Sequence, residues 1–126
     1  MTAMNDGTQD EVSVSFPASP TFSRIGRVAI AGLALRLGVE IADVENLRLA
    51  VDRAVSAFHG KGRIHLSARW EPDRLRVTID NPDQSLDEAR SREVSAALAP
   101  MVDLVRVEPN QIDMTLASRN GTGANR

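Results

Sequence analysis

Few side chains in this 126-residue sequence could do chemistry. There is no cysteine, which excludes disulfides, thiolate nucleophiles and any Cys-containing metal site. The two histidines, His59 and His65, have no third ligand at a recognisable spacing, and His65 falls on the polar side of an alternating run; no metal site is assigned. The serines offer no nucleophile, because a Ser-His-Asp arrangement is recognised by a geometry that spacing does not supply. Asp80, followed by Asn81-Pro82, reads first as a turn residue whose carboxylate caps its own backbone. Arg53, beside Asp52 and near Glu45, reads as a solvated cation. On these grounds there is no catalytic residue.

The elements that would carry these residues follow from hydrophobic period. Val12, Val14 and Phe16 alternate with Ser13 and Ser15, a strand with one buried face that ends at Pro17. Ser19-Pro20 is an N-cap and first-turn pair. It opens a helix over 21–37 with Phe22, Ile25, Ala29, Leu33 and Leu37 on one stripe, closed by Gly38. Asp43 caps a second helix, in which Leu47, Val51, Ala54 and Phe58 recur at three- and four-residue intervals. Ile64, Leu66, Ala68 and Trp70, the turn Glu71-Pro72-Asp73-Arg74, and Leu75, Val77 and Ile79 make a β-hairpin. Ser85 with Glu88 fits a capping box for a third helix from Leu86 to about Ala99. Val105 and Val107, then Ile112, Met114 and Leu116, form two last strands around Glu108-Pro109-Asn110. The order β α α β β α β β predicts an α/β (α+β) two-layer sandwich, a largely antiparallel sheet of about five strands with three helices on one face. Residues 1–10 and 119–126, polar and without period, read as disordered tails around one domain over 11–118.

Composition narrows the function classes. Only Phe16, Phe22, Phe58 and Trp70 are aromatic, so a platform for stacked bases is missing, and a net charge of -2 with scattered arginines opposes a phosphate-tracking groove. Direct nucleic-acid binding is not expected. The longest apolar stretch, Val28 to Leu35, is far below the ~20 residues that span a bilayer. With no cysteine and no signal-peptide pattern, a cytoplasmic protein with no membrane contact is expected.

The run Asp43-Val44-Glu45-Asn46-Leu47-Arg48-Leu49-Ala50-Val51-Asp52 resembles the start of the motif helix in anti-sigma serine kinases of the RsbW type, within the GHKL (histidine-kinase-like) ATPase superfamily. Met101-Val102-Asp103-Leu104-Val105 is similar to that family's run into its penultimate strand, and the element order agrees. The resemblance implies a helix bearing a Glu and, one turn later, an Asn that ligates the Mg²⁺ bridging the ATP phosphates. Its register places Arg53 and Ala57 at those two positions. Arg accepts no proton and Ala offers no oxygen to a hard cation. The family's Asp-x-Gly-x-Gly box is met by Asp80-Asn81-Pro82-Asp83-Gln84, where Asp80 alone is retained; no lid intervenes, and Ser91-Arg92-Glu93-Val94 lacks the expected glycines.

What the resemblance implies is therefore an anti-sigma-like regulator whose nucleotide site is degenerate, with Arg53, Ala57 and Asp80 as non-functional relics and no cofactor. Its partners would be a sigma factor and/or an anti-anti-sigma protein of the STAS type. A serine kinase that keeps ATP and Mg²⁺ is the alternative, and a non-enzymatic binding module in a stress-signalling pathway is a third reading. Helix one also carries a second stripe, Val28, Ala31 and Leu35, bordered by Arg24 and Arg27. It is expected either to be covered by another helix of the three-helix layer or to be a partner or homodimer face, because apolar surface ringed by charge is what interfaces present.

Overall fold

The computed structural model describes residues 11–36 and 41–117, with the side chains of residues 23, 27, 33–36 and 41–42 outside the description. The readings placed on residues 1–10, on Leu37 and Gly38, and on residues 118–126 lie outside the described residues, as do those on the side chains of Arg27, Leu33 and Leu35. The described elements are β1 (Glu11–Pro17), a 3-10 turn (Pro20–Phe22), α1 (Ser23–Arg36), α2 (Ile41–Ala57), β2 (Arg63–Glu71), β3 (Arg74–Asp80), α3 (Glu88–Leu98), β4 (Leu104–Glu108) and β5 (Gln111–Ala117).

Alternation in the strands puts Phe16, Ile64, Leu66, Ala68, Leu75, Val77, Ile79, Ile112, Met114 and Leu116 on one buried face. The five strands form one antiparallel sheet in the order β1-β2-β3-β5-β4. The helices cover the apolar face, giving the two-layer α+β sandwich that the element order predicts, and leave the other face polar. The β2–β3 hairpin turns through Pro72 and Asp73, with Glu71 opposite Arg74. No non-glycine residue among those described has a positive φ, so Pro72 holds the first central position of an ordinary rather than a mirror-image turn.

On α2 the predicted core positions Leu47, Val51, Ala54 and Phe58 are all buried, joined by Val44, Ala50 and Val55. Two helix starts differ from expectation. Asp43 lies inside the first turn of α2 rather than capping it, where its charge favours the positive end of the helix dipole. Helix α3 is capped by Asp87, whose Oδ1 accepts from Arg90 N at 2.7 Å. Ser85 instead accepts from Asn110 Nδ2 at 3.1 Å.

Helix α1 differs more. Its core contact is Ile30, with Gly26 one turn earlier against the sheet: a Cβ on Gly26 would meet Leu66 Cδ1 at 3.0 Å and Phe16 Cζ at 3.4 Å. The absent side chain draws this face, rather than the Ile25 side roughly 100° away, onto the strands. Phe22 stays 38% exposed, Ile25 43% and Val28 65%, whereas Ala31 packs against the core. The two predicted stripes are thus redistributed, with the bulky residues at the start of α1 facing outward.

Candidate functional site

Helices α2 and α3 lie side by side with a groove of about 400 Å³ between them. One wall is Leu49, Asp52, Arg53 and Ser56 of α2, the other Arg90, Glu93, Val94 and Ala97 of α3. Both sets follow the i, i+3, i+4, i+7 spacing of a single helix face. Arg90 is held by Glu93 at 3.0 Å. Arg53 is exposed on the opposite wall.

The three positions that the resemblance assigns to a nucleotide do not converge. Arg53 faces the groove, and Ala57, one turn on, is buried in the core at 8% exposure. Asp80 sits on the polar face of the sheet, opposite His65 and Gln111, in a concavity shared with Ser13, Ser15 and Ser67. The residue in phase with Leu75, Val77 and Ile79 on the helix side is Asn81, one place later than the expected Asp. Two-residue periodicity was the available signal: an Asp aligned with the buried side of β3 would have to fall at 81, not 80.

Asn81 is fully buried and spends its side chain on backbone. Its Nδ2 donates to the carbonyls of Phe58 at 3.1 Å and Lys61 at 2.9 Å, and its Oδ1 accepts from Asp83 N at 2.9 Å. Around it the loop after α2 and the loop after β3 are fastened together. Lys61 N donates to Gln84 Oε1 at 3.1 Å, and Asn110 Nδ2 reaches the carbonyls of Asn81 at 3.1 Å and Gln84 at 3.3 Å. Gly60 and Gly62, with φ of 144° and 74°, are required here: a Cβ on either would stand 2.5 Å from Gln84 Oε1 or Asp83 Oδ2. Composition alone signalled none of this, because an Asn before Pro reads as a solvent-facing turn.

His59 closes α2 beside this seam. Its Nε2 is buried with no hydrogen-bond partner among the described residues, and burial pulls the imidazole pKa below its ordinary value, opposed by the Asp52 carboxylate. Among the described residues no group of three or more His, Asp or Glu side chains could hold a metal ion, and no helix is long and apolar enough to cross a membrane.

A single antiparallel sheet backed by three helices, with α2 and the β3 exit meeting at one end, is an arrangement consistent with the histidine-kinase-like ATPase class. Comparison with curated proteins agrees. The chain is 30% identical over 93 residues to a serine-protein kinase RsbW of Listeria innocua, a match covering 68% of this chain and 59% of the relative. It is 29% identical over 85 residues to the RsbW of Bacillus velezensis (62% and 53%) and 28% identical over 89 residues to that of Halalkalibacterium halodurans (67% and 55%). The chain thus spans between about half and three fifths of the length of these relatives. No family model matches it. These similarities support an RsbW-like relationship within the GHKL superfamily.

Proposed function

We propose that this chain is a regulator that works by binding protein, holding a sigma factor or its STAS-type antagonist without nucleotide and without transferring phosphate. The observation that carries the reading is the seam around Asn81. The resemblance expects an acid free to read a base at the exit of β3; Asp80 lies on the polar face of the sheet instead, and the inward side chain there is the Asn81 amide, committed to Phe58 and Lys61. The donor set does not fit Mg²⁺–ATP either: Ala57 supplies no oxygen and Arg53 places a cation beside the ion.

The binding surface is the outward start of α1. Phe22, Ile25 and Val28 project there beside exposed Arg24, an apolar patch with an arginine, the residue types that anchor interfaces. Ala31 belongs to the core rather than to this surface. A homodimer through the same patch would compete with the partner.

The test has two arms. Calorimetry with Mg²⁺–ATP should give no measurable binding, and gel filtration with a sigma factor or STAS-type protein should give a complex in the absence of nucleotide. Val28→Asp should abolish that complex while changing stability by no more than about 0.5 kcal/mol, as exposed positions do. The named activity of the relatives, serine-protein kinase, favours the competing reading. A micromolar dissociation constant for ATP, about -8 kcal/mol, would restore it.

A further inference from the structure

We propose that the open face of the sheet, opposite the helices and remote from α1, carries an anion site that takes a phosphate monoester through Arg69 and Arg76. The two arginines are direct cross-strand partners on β2 and β3. Ser67 and Thr78, partners in the neighbouring row of the same face, are half-buried. The four residues, with Glu11 from β1, line one concavity of about 180 Å³.

Like charges directly opposite one another weaken a sheet unless something neutralises them. Neutralisation within the fold is slight. The Arg69 side chain makes no ion pair or hydrogen bond with the described residues, although Glu11 is its register partner on β1, and Arg76 Nη1 comes no closer than 4.0 Å to Glu71 Oε2. Thr78 Oγ1 donates to Asp113 Oδ1 at 2.7 Å, and Gln111 Nε2 donates to the other oxygen of that carboxylate at 3.2 Å. Both oxygens of Asp113 thus already accept hydrogen bonds, and the Ser67 hydroxyl, which makes no hydrogen bond with the described residues, keeps its proton to donate. Two guanidinium forks and one free hydroxyl lining the same concavity match the oxygens of a phosphoryl group.

Size and composition narrow the ligand further. A concavity of about 180 Å³ is below the ~300 Å³ at which pockets begin to enclose a drug-sized molecule, so one phosphoryl group fits and a nucleotide does not. No aromatic side chain lies on this face, since Phe16 and Phe58 are buried on the helix side and Trp70 packs toward the core; nucleic acid would find no stacking platform. Glu11 repels anions from the β1 wall and confines the ligand to the β2–β3 side.

The full chain, isotope-labelled, would be titrated at constant ionic strength with inorganic phosphate, O-phosphoserine and a short phosphoserine peptide, following the amide and arginine Nε resonances. Saturable shifts at residues 67, 69, 76 and 78 are expected, with a dissociation constant of order 1 mM. Arg69→Gln with Arg76→Gln should weaken binding at least about tenfold, and Arg106→Gln on the same face should leave it unchanged. Glu11→Gln should tighten it severalfold, which keeps the site testable should the double variant unfold. Peptide binding tighter than free phosphate identifies a phosphorylated partner as the source, and equal affinities identify free phosphate. Shifts that match a chloride control, or persist in the double variant, overturn the site. Neither result bears on binding at α1.

Discussion

Replacing Asn81 by aspartate exchanges one NH₂ for an oxygen and leaves the shape of the side chain intact. At neutral pH the new carboxylate would stand about 3 Å from two carbonyl oxygens, those of Phe58 and Lys61, which now accept from Nδ2 at 3.1 and 2.9 Å. Two hydrogen bonds at ~1 kcal/mol each are lost, and leaving buried polar groups unpaired adds ~1–3 kcal/mol, so N81D should cost about 3–5 kcal/mol. The loss should also depend on pH. Burial and carbonyl repulsion hold the new carboxyl's pKa above the unfolded value of about 3.9. Its protonated form can donate to one carbonyl, so the stability it supplies is fully present below the unfolded pKa and is lost as pH rises through the folded one. Urea denaturation followed by Trp70 fluorescence at about pH 4 and about pH 7, each against the parent protein, measures both quantities. A cost under about 1 kcal/mol at neutral pH, or the same cost at both pH values, would refute the role assigned to Asn81. Because aspartate is the residue that the RsbW resemblance expects at this box, a large cost would also mean that a change toward the RsbW pattern harms this chain.

Ala57→Asn, which puts the residue type that the resemblance implies at that position, should destabilise by about 1–3 kcal/mol because the site is packed, and even with Arg53→Glu it should not confer ATP binding; thermal melting and calorimetry read the two halves. His59, whose pKa burial lowers, should make the protein less stable toward acid. The unfolded imidazole takes its proton first, so stability present above about pH 6.5 declines as pH falls through that value toward the folded pKa. Urea midpoints compared across this range should show a slope that His59→Gln removes.

Strand alternation was legible in the sequence because each strand has one dry and one wet face, and every predicted inward residue of β2, β3 and β5 lies on the apolar side. Helix α2 was equally legible, its single stripe being buried whole. Helix α1 was not, because both of its sides are apolar and the face that docks is chosen by the residue with no side chain, Gly26, which a search for bulky hydrophobes passes over. The inward residue at the β3 exit lies one place from the motif match for a related reason. Matching a motif letter selected Asp80, whereas the pleat selects Asn81, and the pleat decides which side chain can reach α2. That a buried amide would tie two loops together depends on contacts twenty or more residues apart, for which local pattern holds no signal.

The strand order carries a consequence for how the chain folds. Strand β5, the last of the described strands in sequence, does not add to an edge of the sheet but enters between β3 and β4. Until it is in place the hairpin β2–β3 has an unpaired flank at Leu75, Val77 and Ile79, and β4 has no neighbour, since β5 is its only ladder among the described residues. The central seam therefore closes late and through contacts distant in sequence, which slows folding relative to a meander of the same size. During that interval the open flank of β3 is an apolar template for a second chain, so slow refolding at high protein concentration should favour aggregation even though, among the described strands, only β1 and β4 are edges of the finished sheet.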